Sequence, residues 1–205
     1  GGPIVRDRAH FFYSLDRIIF DEGRSNTFAA RPELNYTDTQ SMRLWNHMAR
    51  VDHQINANNT WSGRYLTEVA PTFNRITARR TLANKDQEFD VDTTAAGNWN
   101  TVFGNTRFNT VRFGWTYEKN GFTVPEVQGK NPVLMVDVAP TLTMLTFIDG
   151  RNAGALFRIN DAYEISDTFS QFIPEWAGGD HDLKFGAQYI YSNIWLPDQS
   201  EMNGR

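Results

Sequence analysis

The chain lacks cysteine altogether, so a disulfide framework, a thiolate metal site and a cysteine nucleophile are excluded. It also lacks any apolar run close to the roughly 18 residues that a transmembrane helix needs. Clustered basic residues are missing too, because the formal net charge is −4 with both signs interspersed, which argues against a nucleic-acid partner. No leader sequence is recognisable, and the two ends, Gly1-Gly2-Pro3 and Glu201 to Arg205, lead us to expect a piece of a longer protein.

Aromatic residues, in contrast, are abundant. They make up 14% of the chain, although the mean hydropathy is only −0.52. This combination is typical of a transmembrane β-barrel, because half of each strand faces a wet lumen while aromatic residues collect at the two membrane interfaces.

The clearest structural pattern lies in residues 179–195. From Leu183 onward, apolar and polar residues alternate with a period of two, which predicts a β-strand with one apolar and one polar face. A soluble sandwich would alternate in the same way, so this one strand does not decide between a protein core and lipid.

The same pattern recurs along the chain. We predict strands over residues 9–20, 42–54, 60–68, 87–101, 107–118 and 156–173. The asparagines of 55–59 predict a tight hairpin turn, since asparagine tolerates the left-handed backbone that such turns require.

The connections alternate in length. Short turns are predicted near residues 7, 57, 105 and 179, and long polar loops over 21–40, 69–86 and 120–152. Within the last loop, Val133 to Val138 and Leu142 to Ile148 are candidates for short strands. Long loops at one end only favour an antiparallel transmembrane β-barrel fragment of seven to eight strands, with short periplasmic turns and long extracellular loops.

Three segments carry a family resemblance. GGPIVRDRAHFFYSLDR at residues 1–17, RVDHQINANNTWSGRY at 50–65 and GGDHDLKFGAQYIY at 178–191 resemble TonB-dependent outer-membrane receptors of the Oar-like kind, which carry a carboxypeptidase-regulatory-like domain. The first segment is similar to the stretch just after the plug of those receptors. The resemblance covers about a quarter of the residues, in the right order.

The resemblance implies that residues 1–205 are part of a barrel of about 22 strands that is filled by a plug. It implies localisation in the outer membrane and no cofactor. The implied partners are membrane lipid, the protein's own plug, the TonB energy-coupling complex and a small solute of the siderophore, vitamin, saccharide or peptide class.

Two groups of residues follow from the alternation. Aromatic residues on the apolar face form either a sugar-stacking surface or a lipid-facing girdle, and their recurrence on successive strands favours lipid: Trp45, Trp61, Tyr65, Trp99, Phe113, Trp115, Tyr117, Phe185 and Tyr189. Polar residues on the opposite face are predicted to line the lumen: Arg50, Arg64, Glu88, Asp90, Asp92, Arg112 and Lys184.

The acidic members of the second group, Glu88, Asp90 and Asp92, allow a calcium or cationic-substrate site as an alternative. A strand face lacks the looped geometry of a calcium motif, so a wet lumenal surface is favoured. We expect Arg50, Arg64, Arg107 and Arg112 to offset these carboxylates across neighbouring strands.

No catalytic or metal-binding motif is visible. The four histidines, at positions 10, 47, 53 and 181, lie apart, and His181 is predicted to be a hydrogen-bonding turn residue. The sequence therefore predicts a non-enzymatic part of a receptor or transporter. The alternatives are a soluble all-β module that binds carbohydrate or another ligand, and an outer-membrane enzyme barrel.

Overall fold

The structure, a computed structural model, describes residues 1–123, 142–149 and 156–196. Seven long strands dominate it: β2 (Ala9–Asn26), β3 (Tyr36–Asn56), β4 (Asn59–Val69), β6 (Asp86–Phe103), β7 (Arg107–Thr123), β10 (Leu156–Trp176) and β11 (Gly179–Trp195). Four short strands accompany them: β1 (Gly2–Val5), β5 (Thr72–Arg75), β8 (Leu142–Thr143) and β9 (Ile148–Asp149). Two short 3-10 turns, Pro32–Leu34 and Leu82–Asn84, are the only helical elements among the described residues. The described residues contain no apolar helix of the length that crosses a membrane.

The long strands form one antiparallel sheet in chain order. The order is β1-β2-β3-β4-β6-β7-β10-β11, with β5 pairing β3 and β6, while β8 and β9 form a separate two-stranded sheet. This confirms the predicted all-β antiparallel fold. A sandwich would need a second large sheet to pack against the first, and the described residues contain none.

The register of the sheet separates its two faces. Apart from positions next to turns and bulges, odd-numbered residues pair with odd-numbered ones and even with even in all six long ladders. Directly paired residues of an antiparallel ladder point to the same side. Odd-numbered residues of the long strands therefore share one surface, here called the apolar face, and even-numbered residues share the other, the polar face.

The strands are also staggered. One row of direct partners runs from Phe11 through Val51, Gly63, Gly97, Phe113 and Ile165 to Tyr189. Phe11 lies four residues beyond Asp7 in the first short turn, whereas Tyr189 lies twelve beyond Ala177 in the last. When the short turns are aligned, the register therefore shifts by eight residues along the strands over six strand-to-strand spacings. This stagger corresponds to a strand tilt of about 40°, the value typical of outer-membrane barrels.

The connections alternate as predicted, but the boundaries of all three long loops were wrong. The third, predicted over 120–152, begins only after β7 ends at Thr123. Residues 21–40 are not a loop: β2 continues to Asn26 and β3 begins at Tyr36, so the connection spans only 27–35. Residues 69–86 contain β5. Its Thr72 pairs with Met42 on β3 and with Glu88 on β6, in the register that β4 has with the same two strands. Pro71 interrupts this strand because it has no N–H to donate to the ladder. The predicted strand over Val133 to Val138 lies outside the described residues. Instead of the single strand predicted over 142–148, the chain forms the paired two-residue strands β8 and β9.

The turn at residues 57–58 is present, but not for the reason predicted. Neither residue has a positive φ. Instead the Asn56 side-chain oxygen accepts hydrogen bonds from the Asn58 backbone N–H at 2.9 Å and from the Asn59 amide at 3.0 Å. Left-handed backbone occurs at other short turns, at Asp7, Gly104, Ala177 and Gly178.

Candidate functional site

The apolar face carries all nine residues predicted to form the aromatic girdle. Each has an odd number and lies on a long strand, so the register brings them onto one surface. Phe113 and Phe185 are 48% and 60% exposed on it, which means that no other part of the described chain covers them. Their contact with lipid stays a prediction.

Several polar atoms on the apolar face are paired with aromatic side chains, which the alternation pattern does not predict. The Trp61 indole N–H donates to His53 Nδ1 at 3.1 Å, and the Trp115 indole N–H donates to Asp161 at 2.7 Å. Tyr13 and His47 are joined at 2.8 Å between the hydroxyl and Nδ1. Such pairing keeps donors and acceptors satisfied where water is scarce.

Asp167 is a carboxylate on this face that has no such partner. It is exposed between Val111 on β7 and Ala187 on β11, and its side chain has no hydrogen bond or ion pair within the described part of the chain. An unpaired carboxylate at such a position is unfavourable in contact with hydrocarbon.

The polar face carries all seven residues predicted to line the lumen, since each has an even number. The expected ion pairs of the carboxylates with Arg50, Arg64, Arg107 and Arg112 are wrong, however, and the odd-numbered Arg107 lies on the apolar face. Among the described residues, Glu88, Asp90 and Asp92 form no ion pair with Arg50, Arg64, Arg107 or Arg112. The reason is distance along the strands: Arg64 lies opposite Ala96, four residues and roughly 13 Å from Asp92.

The carboxylates instead lie together on the half of the polar face nearer the long loops. Glu68, Asp92 and Glu118 are direct partners across three neighbouring strands. Arg158 forms an ion pair with Glu118, and Asp90 Oδ1 is buried without a hydrogen-bond partner. No group of three or more metal-ligating side chains with suitable geometry occurs in the described ranges.

The cations lie closer to the short turns. Arg50 and Arg64 face each other directly across β3 and β4, and Arg112 lines the same groove two strands further on. We call these three residues the basic group. Arg50 pairs with Asp52 at 2.8 Å, whereas Arg64 and Arg112 have no ion pair or hydrogen bond to any described residue.

An apolar patch on the polar face was missed by the sequence reasoning. Ile18 pairs directly with Leu44, Phe20 with Met42, and Met48 with Leu66. These six residues are called the inner apolar patch. Ile18 and Phe20 are 49% and 47% exposed, so nothing in the described chain covers them. The signal was present in residues 18–20, Ile-Ile-Phe, where both faces of the strand are apolar at once.

The long connections pack together into a small ordered cluster, the loop-end cluster, which comprises residues 26–36, 75–86 and 142–149. Its core is Phe28, Ile76 and Phe147, all buried, with the Phe28 and Phe147 rings in edge-to-face contact at 6.5 Å. Backbone bonds join the segments, including Thr81 N–H to Ile148 O at 2.9 Å. These are among the few buried apolar side chains that the structure describes.

Asp86 is the charged centre of the loop-end cluster. It is 2% exposed and forms ion pairs with Arg75 at 2.9 Å and Arg80 at 2.5 Å. Asn26 donates to the Thr77 and Arg80 carbonyls at 2.8 and 2.9 Å, which ties the end of β2 to the second loop. The cluster is therefore held by specific polar contacts as well as by its apolar core.

Two ionisable groups at the start of β3 have pKa values that are shifted by their surroundings in the loop-end cluster. Burial raises the pKa of Tyr36, whose hydroxyl donates to the Arg80 carbonyl at 3.0 Å. The hydrogen bond from Lys85, 2.8 Å from Asp38, lowers the pKa of that carboxyl. Both groups lie 18 or more residues from the short turn at Asn56, beyond the 9 to 11 residues that a strand needs to cross a bilayer.

The histidines take structural positions. His181 Nε2 donates to the Trp176 carbonyl at 2.7 Å across the last short turn, which confirms the predicted hydrogen-bonding role. His47 and His53 lie on the apolar face against aromatic rings.

Comparison with known proteins agrees with this architecture. Residues 25–205 match the family model described as outer membrane beta barrel domain. No match was found among curated proteins or among solved structures. The matched range covers most of the chain, and the family description mentions neither TonB nor transport. The chain belongs to the outer membrane beta barrel domain family and localises to the outer membrane.

Proposed function

We propose that the chain is part of a TonB-dependent receptor, an outer-membrane transporter that takes up a scarce solute with energy from the inner membrane. In this proposal the apolar face contacts lipid, the polar face lines the lumen, the short turns are periplasmic and the loop-end cluster is extracellular. The tilt of about 40° and the separation of the aromatic girdle from the lumenal charges onto two faces support the barrel part of the proposal.

The inner apolar patch is the observation that carries the receptor part. A water-filled channel gains nothing from Ile18 and Phe20 exposed on its wall, because each exposed apolar side chain forgoes its burial free energy. A folded plug inside the barrel would cover these side chains. The patch therefore favours a filled barrel over an open pore, in agreement with the family resemblance at residues 1–17.

The function would be binding and gating, with no covalent step. The loop-end cluster offers an ordered external surface for capturing a solute, and the lumen would hold a plug whose movement opens a path. The class of solute, whether siderophore, vitamin, saccharide or peptide, depends on loops and plug together.

The lipid and lumen assignments are tested with two neighbouring alanines on β6. Ala95 lies on the apolar face and Ala96 on the polar face, both half-buried, in a chain that has no cysteine of its own. The full-length protein in lipid vesicles is labelled with a water-soluble maleimide as Ala95→Cys or as Ala96→Cys, in a background whose other cysteines, if any, are replaced. Ala95→Cys should stay unlabelled in the native protein and react after denaturation. Labelling of native Ala95→Cys would contradict the lipid assignment.

The plug is tested with a photocross-linker, p-benzoylphenylalanine, at Leu44 in the inner apolar patch. We expect cross-links to a separate folded region of the same full-length polypeptide, and far fewer from the same probe at Trp45 on the apolar face. Equal, lipid-only or absent cross-links at the two positions would refute a filled lumen. Uptake that is lost when TonB is deleted would then establish energy coupling for a given candidate solute.

A further inference from the structure

We propose that the basic group forms a carboxylate-binding groove on the polar face. This inference rests on the proposed function only in that the polar face must line the lumen. The groove has a volume of about 630 Å³ and lies between β3 and β10, with Arg50, Arg64 and Arg112 along it and Ala96 and Gly114 between them.

Small side chains open the space for a ligand. Ala96 and Gly114 are direct partners on β6 and β7, and they separate Arg64 on β4 from Glu164 on β10. A Cβ at Gly114 would come within 3.7 Å of the Glu164 Cβ. From the sheet spacings, the Arg64 and Arg112 Cα atoms are about 12 Å apart, so two extended guanidinium groups can reach one small anion from opposite sides.

The charges of the groove call for an anion. Arg50 and Arg64 are directly opposed, an arrangement that is unfavourable for like charges unless an anion lies between them. The two nearby carboxylates are already engaged, since Asp52 pairs with Arg50 and Glu164 accepts a hydrogen bond from Gln188 at 2.7 Å. Arg64 and Arg112 remain without partners among the described residues.

The balance of charge indicates a singly charged ligand. Glu164 lines the groove with the three arginines, and Asp52 pairs with Arg50 from beside it, so these five groups together carry an excess of one positive charge. A carboxylate matches both this charge and the planar fork of a guanidinium. Ser62 donates to Asn98 Oδ1 at 2.5 Å, which leaves the amide nitrogen of Asn98 available as a neutral donor in the same groove.

The same chemistry has two sources, and the experiment separates them. One is an aspartate or glutamate side chain of a segment inside the lumen, and the other is the carboxylate of a solute in transit.

In the full-length protein, Ala96→Cys is treated with an anionic and a cationic methanethiosulfonate of equal size, in the presence or absence of acetate, with chloride at matched ionic strength as the control. Thr116→Cys, on the same face beside Glu118, is the matched reference site.

For a solute site, Cys at position 96 should prefer the anionic reagent over the cationic one by about tenfold relative to position 116, and acetate should slow the reaction. Arg64→Ala should reduce this preference about five- to tenfold, and Arg64→Lys should largely restore it. For a site filled by the protein itself, position 96 should be inert to both reagents, and p-benzoylphenylalanine placed there should cross-link to an acidic segment of the same polypeptide.

The groove is refuted if position 96 reacts without anionic preference, or if Arg64→Ala leaves the preference unchanged in protein that still migrates as a folded barrel. It is equally refuted if position 96 is inert but cross-links to no acidic segment. Failure of the lumen assignment looks different, because Ala95→Cys would then react with the water-soluble reagents while Ala96→Cys does not.

Discussion

Removing the charge of Asp86 should loosen the loop-end cluster without unfolding the sheet. Asp86 is 2% exposed, and its partners Arg75 and Arg80 have side chains that are 23% and 25% exposed. Asp86→Asn keeps the size of the side chain and part of its hydrogen bonding. It leaves two arginines, however, without the carboxylate that they share.

The expected cost follows from the burial of the three groups. Breaking a buried ion pair by removing one partner costs about 3 to 5 kcal/mol. Because both arginines keep some contact with water, we reduce this to about 2 to 3 kcal/mol. Opening of the cluster should become about 30 to 150 times more frequent, since every 1.4 kcal/mol or so is a factor of ten.

Amide hydrogen exchange of the full-length protein in detergent measures this opening. Exchange in residues 75–86 and 26–36 should accelerate by that factor in Asp86→Asn, while β6 and β7 near the short turns keep their protection. Asp38→Asn is the matched control, because its ion pair with Lys85 is part-exposed and should be worth no more than about 1 kcal/mol. Unchanged exchange in Asp86→Asn, or equal effects of the two variants, would refute the reasoning.

Three further outcomes are expected. Phe113→Lys should lower the unfolding free energy in lipid vesicles by about 2 to 4 kcal/mol if the residue lies mid-bilayer, and an unaltered urea transition would remove that strand from the lipid surface. Asp167→Asn should raise stability in the same assay, because the unpaired charge on the apolar face is lost; a fall would mean that the carboxylate has a partner in the complete barrel. The Asp38 carboxyl has a lowered pKa, so its stabilising contribution is full above its ordinary value of 3.8 and is lost as the pH falls through the lowered one. Between pH 6 and pH 3, loop proteolysis by an acid-active protease should thus accelerate more in wild type than in Asp38→Asn, and parallel pH profiles would argue against this linkage.

The sheet was predictable from the sequence because its information is local. A period of two in segments such as Gln87 to Thr101 and Arg107 to Glu118 identifies the strands and their two faces without any knowledge of partners. Short turns fix which strands pair, so the distribution of aromatic and polar residues over two surfaces follows directly.

The remainder depends on contacts between distant parts of the chain. The polar end of β2, after Asp21, and the polar beginning of β3, up to Gln40, resemble loops in the sequence. They form strands because each supplies the backbone hydrogen-bond partners of the other. The loop-end cluster joins Asp86 to Arg75 and Phe28 to Phe147, which no short-range pattern reveals. The expected pairing of arginines with Glu88, Asp90 and Asp92 is wrong because alternation predicts the face on which a side chain lies but not which residues of neighbouring strands are directly paired.

The chain-order arrangement of the sheet has a consequence for how the barrel is assembled. Each long strand pairs with the strand that precedes or follows it among the long strands, so every hairpin needs only its immediate neighbour to continue the sheet. Closing a loop costs more entropy as the loop lengthens, and the connection from Thr123 to Leu156 is far longer than the turn at residues 57–58. Docking of the β10-β11 hairpin onto β7 should therefore be the slowest of the strand-pairing steps during folding. The unpaired edge of β7 is then exposed for longest, so a chaperone is most able to bind at this junction.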